Sequence, residues 1–322
     1  MKFRILAVFI LLFAASAALA QTTASAPSEN GPMRVVEDPA AGFFYPYYLY
    51  VPPELRDARS ATEIQTLLVI PNNTLKGPDD DFAIHEADVK KRMSTAGSVA
   101  SALKVAVLMP VFPRPRTDWR VYTLALDRDS MVTDKKELKR FDLQLVAMID
   151  DARRRLKKQG MRFDKRVLIN GFSAQGMFAN RFTFLHPERV KAAAIGSPGG
   201  WPIAPVENYR DKTLRYPIGI SDIKMITGKR LDLKTLRKVP LFVFLGDKDG
   251  NDSVPFGDSY DDEDKELIFD LLGKTPVSRW AIAESMYKRA GLNATFKLYP
   301  DVAHTVTPAM RDDVRAFLLK YK

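Results

Sequence analysis

The chain has 322 residues, of which 46% are hydrophobic and 27% charged, and its net charge is +10 at pH 7. This composition is typical of a globular protein and excludes disorder over most of the chain. Much of the basic excess lies at 153–158, at the end of a predicted helix, where it complements the helix dipole. No basic segment is interleaved with aromatic residues in a recognisable module, so we expect no nucleic-acid partner.

The first 20 residues have the layout of a secretory signal peptide. Lys2 and Arg4 precede an apolar run at 5–13, and an A-x-A cleavage site follows at 18–20. The apolar run is too short to anchor the protein stably in a bilayer. The chain contains no cysteine, so it has neither disulfides nor a lipid-attachment site. We therefore expect an exported protein, periplasmic or secreted, without an integral membrane anchor.

Beyond this segment, 21–41 is predicted to be a flexible N-terminus and 42–322 a single α/β domain. Apolar strands alternate with helical patterns along that domain. Strands are predicted at 43–52, 66–70, 105–109, 167–169, 191–195, 241–245 and 295–299, and helices at 88–103, 136–158, 177–184, 278–290 and 309–320. This alternation indicates a mainly parallel central sheet with helices on both faces.

One strand leads into a glycine-flanked turn that holds a serine. The sequence from 166 to 177 is RVLINGFSAQGM, with Ser173 between Gly171 and Gly176. A strand, a tight turn and a helix form the context of a nucleophile elbow, in which the serine hydroxyl is exposed at the turn. The pattern departs from G-x-S-x-G because Gln175 occupies the second glycine position. The alternative is an ordinary serine at a helix N-cap.

Histidine is the natural base for such a serine because its pKa lies near neutrality. The chain has three histidines. His304 follows the last predicted strand, at the sheet edge where parallel α/β proteins gather their chemistry. His186 ends the helix after the elbow, where a structural role is favoured, and His85 precedes a helix with no serine partner in view. We therefore expect His304 to be the base.

A carboxylate must orient the imidazole, and three candidates follow the strand at 241–245. Asp247, Asp249 and Asp252 lie in the run GDKDGND. Each would place the acid between the serine and the histidine in the chain. The order Ser, Asp, His is that of the α/β-hydrolases.

The runs GFSAQG, LFVFLGDKD and YPDVAH together resemble the α/β-hydrolase superfamily over nearly all of the chain after the signal segment. Within it, the chain is most similar to exported bacterial esterases of the polyhydroxybutyrate-depolymerase and feruloyl-esterase type. The resemblance implies an α/β-hydrolase fold, a Ser-His-Asp mechanism, hydrolysis of an ester-like bond and no cofactor. Family spacing favours Asp249 as the acid, with Asp252 second. The chain departs from the family at Gln175, and at 71–73, where Pro-Asn-Asn stands in place of His-Gly-Gly.

The tetrahedral intermediate of such a reaction needs an oxyanion hole. We expect its donors to be the backbone N–H groups of Ala174 and Asn73, and a side-chain amide of Asn72 or Asn73 is a further option. The alternative is a plain asparagine-rich turn. Asn72, Gln175 and Trp201 are candidate substrate contacts, although Trp201 fits a core position equally well. Residues 199–238 form a possible lid or binding wall.

The expected activity is that of a serine hydrolase acting on a small-molecule or polymeric ester. A peptidase or amidase would use the same residues, and a non-catalytic binding protein with this fold is a further alternative. Residues 247–258 nearly match a calcium loop but lack its glycine and glutamate, and no His/Cys cluster has metal-site spacing. The acidic run at 258–266 is predicted to be a solvated loop.

Overall fold

The computed structural model describes residues 31–57, 63–73 and 77–322. The predicted signal peptide at 1–20 and the first part of the predicted N-terminal tail, 21–30, lie outside these ranges. Within them, no helix combines the length and the apolar character needed to cross a bilayer.

The strands are β1 (Met33–Val35), β2 (Tyr47–Tyr50), β3 (Ile64–Gln65), β4 (Leu67–Val69), β5 (Ala106–Pro110), β6 (Arg162–Phe163), β7 (Val167–Phe172), β8 (Val190–Gly196), β9 (Asn208–Tyr209), β10 (Lys212–Thr213), β11 (Leu241–Gly246) and β12 (Ala294–Tyr299). The α-helices are α1 (Pro53–Asp57), α2 (Phe82–Leu103), α3 (Arg128–Val132), α4 (Phe141–Lys158), α5 (Ala174–Leu185), α6 (Ile223–Thr227), α7 (Leu233–Leu236), α8 (Asp262–Leu271), α9 (Pro276–Arg289) and α10 (Pro308–Leu319). Short 3-10 helices span Thr123–Ala125, Lys136–Leu138 and Pro187–Arg189.

The central sheet has the strand order β1-β2-β5-β4-β7-β8-β11-β12. All pairs from β5 to β12 are parallel, whereas β1, β2 and β5 pair antiparallel at one edge. The predicted mainly parallel sheet is therefore confirmed. Because parallel strands end at the same edge, the turns after β4, β7, β8, β11 and β12 all meet there.

Both faces of the sheet are covered at its centre, which explains why strands such as β4, β5 and β11 read as continuous apolar runs. Successive side chains of a strand point to opposite faces. Leu67 and Val69 accordingly join the core under α4, α5 and α9, while Leu68 joins the core under α2 and α10. A strand buried in this way shows no alternation of polar and apolar residues in its sequence.

Two elements differ from the sequence-based expectation. The acidic run predicted to be a solvated loop instead enters helix α8, whose N-terminus is capped by the Asp261 carboxylate accepting from the N–H of Asp264. Acidic residues in the first turn of a helix are stabilised by the positive end of its dipole, so this acidic run starts a helix.

Strand β1 lies inside the predicted flexible tail at 21–41. With three residues, of which only Val35 is buried, it is too short to show a period.

The segment 199–238, expected to be a possible lid or wall, packs against the body of the domain. Arg128 binds the Asp222 carboxylate at 2.6 Å and the Tyr216 carbonyl at 2.8 Å. Arg215 binds Asp264 at 2.8 Å, which joins the segment to helix α8. These contacts fasten the segment to helix α3 through Arg128 and to helix α8 through Asp264.

Asp127 offers a test of stability because it is a fully buried acid that caps helix α3. Its carboxylate accepts from the N–H groups of Asp129 and Ser130, yet burial outweighs these bonds and raises its pKa from 3.8 to about 7. A raised folded pKa gives stability that is full below pH 3.8 and is lost as the pH rises towards 7. Asp127→Asn keeps the cap without the charge. We expect its melting temperature, relative to wild type, to be clearly higher at pH 8 than at pH 4.5, and the same difference at both pH values would contradict this.

Candidate active site

Ser173 lies at the turn between β7 and α5 in a backbone conformation that non-glycine residues rarely adopt. Its φ is 63° and its ψ is −130°. Such a conformation costs on the order of 1–3 kcal/mol, and it is found where the surrounding structure enforces it, as in a nucleophile elbow. The hydroxyl does not cap helix α5. The structure therefore gives no support to the alternative of an ordinary N-cap serine.

Two glycines allow this turn to be so tight. A Cβ atom at Gly171 would lie 2.2 Å from the carbonyl oxygen of Gln175, and one at Gly176 would lie 2.3 Å from the carbonyl oxygen of Gly196 on β8. Neither position can hold a side chain without backbone movement. The close approach to the neighbouring strand thus falls on Gly176, one residue later than in G-x-S-x-G, and Gln175 is free to carry a side chain.

His304 and Asp249 form a hydrogen-bonded pair next to the elbow. Nδ1 of His304 lies 2.9 Å from Oδ2 and 3.1 Å from Oδ1 of Asp249. The imidazole ring also packs on the ring of Phe172, the residue before Ser173, with centroids 4.8 Å apart. A carboxylate only accepts, so Nδ1 is the donor, and in the neutral form of the ring Nε2 holds the lone pair.

Asp249 is buried and held in its charged form. Burial alone would raise its pKa, but hydrogen bonds from His304, from the hydroxyl of Ser197 at 2.7 Å and from the N–H of Asn251 at 2.9 Å outweigh burial. The net effect lowers the pKa of Asp249 below its ordinary value. The carboxylate is therefore ionised at neutral pH and has a fixed orientation.

The other two acid candidates point elsewhere. Asp252 forms a two-point ion pair with Arg279, with distances of 2.9 and 2.8 Å, and Arg279 also donates to the carbonyl of Gly200. Asp247 makes no hydrogen bond through its buried Oδ1 to any described residue. Of the three, the structure brings only Asp249 into contact with His304.

The remaining histidines lie in structural surroundings. His186 is buried and its Nε2 lies 2.8 Å from Oδ2 of Asp142. Burial would lower its pKa, but the hydrogen bonds to Asp142 and Glu188 raise it overall. His85 is buried at the start of α2, where its Nε2 lies 2.9 Å from the carbonyl oxygen of Asp79. Neither is hydrogen-bonded to a serine hydroxyl in the described ranges.

The expected oxyanion donors lie at the ends of neighbouring strands. Ala174 is the first residue of α5, and its N–H, like the other first N–H groups of a helix, has no intrahelical acceptor. No hydrogen bond from it to a described residue is present. Asn73 follows β4, which pairs with β7, so its backbone lies at the same sheet edge. Its φ is not positive, so this position does not require a glycine conformation.

The three residues expected to contact substrate make internal contacts instead. The Trp201 side chain is 1% exposed and its indole N–H donates to the carbonyl of Ile218 at 2.9 Å. The amide of Asn72 bonds to Phe112, and the amide of Gln175 donates to the carbonyl of Pro71. In this structure all three side chains are buried and none lines an open surface.

The structure adds residues that sequence reasoning missed. Ser197, at the end of β8, supports Asp249, and no motif marked it. Trp119 and Phe256 are exposed aromatic side chains, 46% and 64% accessible, on the loops after β5 and β11. Those loops meet, because a Cβ atom at Gly257 would lie 3.7 Å from the Trp119 ring. In the sequence, only the position of these two loops after predicted strands, at the carboxyl edge of the sheet, could have indicated that Trp119 and Phe256 lie near the site.

An ion pair fastens these two loops together. Arg114 binds Asp258 at 2.7 Å, and both side chains are largely buried. On the same side, the hydroxyl of Ser253 lies 3.6 Å from Sδ of Met177, one turn after Ser173 in α5. The loops after β5 and β11 therefore form a wall beside the first turn of the helix that follows the elbow.

No protein-family model matches the chain, and no curated protein does. Solved structures do match. Poly(aspartic acid) hydrolase-1 from Sphingomonas sp. KT-1 superposes with a TM-score of 0.57 at 18% identity, over 89% of this chain and 97% of that one. A poly(3-hydroxybutyrate) depolymerase from Bordetella parapertussis has a TM-score of 0.57 at 15% identity, over 91% and 90% of the two chains. The chain has the α/β-hydrolase fold, as the sequence predicted.

Proposed function

We propose that this protein is an exported serine hydrolase that cleaves a carboxylic ester, with Ser173 as nucleophile, His304 as base and Asp249 as the orienting acid. The observation that carries the proposal is the Asp249–His304 pair, whose imidazole packs on Phe172, the residue that precedes the strained elbow serine. Export rests on the signal-like segment at 1–20. The ester bond rests on the resemblance of the sequence motifs, since the structural neighbours are too distant to specify a substrate.

In the proposed first step, Oγ of Ser173 attacks the ester carbonyl carbon while Nε2 of His304 takes the hydroxyl proton. The carbonyl oxygen becomes an oxyanion, and the N–H groups of Ala174 and Asn73 stabilise it. Asp249 keeps the proton of Nδ1 in place and stabilises the imidazolium as it forms. The positive end of the α5 dipole favours the same negative charge.

The intermediate then collapses, the bond to the alcohol breaks, and His304 returns its proton to the departing oxygen. An acyl group remains on Oγ of Ser173. Water repeats the sequence in the second half: His304 accepts a proton from the water, the hydroxide oxygen bonds to the acyl carbon, and Ser173 leaves with the proton. The products are an alcohol and a carboxylic acid, and the enzyme is restored.

A panel of substrates tests the choice of bond. Chromogenic esters and anilides that share the same acyl groups differ only in the bond that is cleaved. We expect turnover of the esters that disappears in Ser173→Ala, with no turnover of the matched anilides. Faster cleavage of the anilides would replace the esterase proposal by an amidase acting through the same residues.

We further propose that Trp119 and Phe256 bind the apolar part of the substrate. Burying an aromatic side chain contributes about 1.5–3 kcal/mol, so removing one ring is expected to raise KM for long-chain or aromatic esters by roughly tenfold. An acetyl group offers little apolar surface to bind, so KM for acetyl esters should stay within about twofold of wild type. The measurement is KM for both ester classes in Trp119→Ala and Phe256→Ala.

The matched control is Ile64→Ala, which removes an exposed apolar side chain from β3, a strand that pairs with β6 in a small separate sheet and lies just before the amino end of β4. It should leave KM for every ester unchanged. Equal KM values for wild type and both aromatic variants on long-chain esters would exclude this wall as the binding surface.

A further inference from the structure

The two places where the chain departs from the family pattern touch each other. Gln175 stands in the elbow where a glycine is usual, and Pro71 begins the turn that replaces His-Gly-Gly. The side-chain amide of Gln175 donates a hydrogen bond to the carbonyl of Pro71, although the residues are 104 positions apart. A carbonyl oxygen only accepts, so Nε2 must be the atom that faces it. Gln175 is buried, with 7% of the residue exposed.

A second contact, made by the side chain of Asn72 within the turn after β4, also holds this turn in place. Nδ2 of Asn72 donates to the carbonyl of Phe112 at 2.8 Å, and Oδ1 accepts from the N–H of Phe112 at 3.1 Å. This pair of bonds fastens the turn to the loop after β5. The two residues that precede Asn73 are thus both held: Pro71 by Gln175 of the elbow, and Asn72 by its bonds to Phe112 in the loop after β5.

A glycine-rich oxyanion turn fixes its donor through backbone conformation, but Asn73 has no positive φ here. Its N–H therefore depends on the side-chain contacts that place the turn. Because Gln175 belongs to the same first helical turn as Ala174, its hydrogen bond ties the two expected donors to each other. A shift of about 1 Å between catalytic groups can reduce a rate about a hundredfold.

We propose that Gln175 is a positioning residue of the oxyanion hole: by holding the Pro71 carbonyl it keeps the Asn73 N–H in register with the Ala174 N–H. This inference rests on the proposed function and deepens it. Gln175 then contacts the turn and not the substrate, so its loss affects the transition state more than substrate binding.

The test uses two substitutions of nearly equal size. Gln175→Met keeps the volume but has no amide, and Gln175→Glu replaces the donor by a carboxylate facing a carbonyl oxygen. Removing one oxyanion donor typically lowers kcat by about 100- to 1,000-fold. We expect both variants to lower kcat for ester hydrolysis by about 30- to 300-fold, with KM within about threefold of wild type. Phosphonylation of Ser173 by a fluorophosphonate should slow by a similar factor.

Gln144→Glu is the matched control because Gln144 is also a buried glutamine with hydrogen bonds at both ends of its amide. Its Oε1 accepts from the N–H of Phe44 and its Nε2 donates to the carbonyl of Glu137. It lies on α4, away from the elbow. We expect a lower melting temperature for this variant with kcat unchanged, which separates a loss of stability from a loss of positioning.

The outcomes distinguish this inference from the function on which it rests. If wild type hydrolyses esters and both Gln175 variants retain its kcat, the inference is overturned and the proposed function stands. A rise in KM at constant kcat also overturns it, since that result assigns Gln175 to substrate binding. If folded wild type neither labels nor hydrolyses esters, the proposed function fails, and the positioning role fails with it.

Discussion

Replacement of Ser173 by alanine is expected to lower kcat for ester hydrolysis by about 10⁴- to 10⁶-fold, because no other described group at the turn can form the acyl-enzyme. His304→Ala should lower it by a similar factor, since the serine would lose its base. Both side chains are partly exposed, and neither holds the core together, so the melting temperature of each variant should stay close to that of wild type.

The variant that carries both substitutions tests whether Ser173 and His304 act together. Residues that act as one unit in catalysis have strongly non-additive effects, so Ser173→Ala with His304→Ala should be no slower than either single variant. Ser130→Ala, which removes a buried hydroxyl at helix α3, is the control and should retain kcat. Loss of activity in the double variant equal to the product of the two single losses would show that the residues act independently.

Asp249→Asn is the second large effect, with an expected loss of about 10⁴-fold in kcat, the size seen when the aspartate of a catalytic triad becomes an amide. An amide nitrogen facing Nδ1 of His304 would favour the tautomer with the proton on Nε2. That tautomer cannot accept the proton of Ser173. The measurement is kcat with thermal melting of the same sample.

Asp252→Asn is the informative comparison because Asp252 was the other acid that the sequence left open. It breaks the ion pair with Arg279, whose side chain is almost wholly buried. Breaking such a pair costs about 3–5 kcal/mol, so the free energy of unfolding should fall markedly while kcat per folded molecule changes little. If Asp252→Asn shows the larger loss of kcat and Asp249→Asn only the loss of stability, the assignment of the acid is wrong.

The sheet could be predicted because its central strands are buried on both faces. Runs such as 167–169 and 241–245 are continuously apolar and alternate with helical periods, so the positions of these strands along the chain follow from the sequence pattern. Helix α8 could not be predicted in the same way. Its first turn is acidic, and a charge run is equally typical of a solvated loop until the cap at Asp261 is seen.

For the candidate site residues, the sequence predicted which strand each one follows, but it did not predict which side chains are in contact. Chain order placed Ser173, one aspartate and His304 at the same sheet edge, because parallel strands end together. Choosing between Asp249 and Asp252 needed side-chain directions: the two differ by three residues, yet one carboxylate faces His304 and the other faces Arg279.

Contacts between distant segments were beyond the sequence. The hydrogen bond from the Gln175 side chain to the Pro71 carbonyl joins residues 104 positions apart. No local sequence pattern at either residue predicts this contact. The burial of Trp201 could not be predicted either, since a tryptophan beside two glycines is compatible with a binding wall as well as with the core. Its burial against Ile218 depends on how 199–238 folds back, which no local period encodes.

The measurement that tests the central claim most directly is reaction of the purified, folded protein with a fluorophosphonate, followed by peptide mass spectrometry. An activated serine displaces fluoride and forms a stable phosphonyl ester, whereas an ordinary serine does not react. We expect one adduct per chain on the peptide that contains Ser173, and no adduct in His304→Ala. A folded wild-type protein that stays unlabelled, or an adduct on a different serine, would contradict the account.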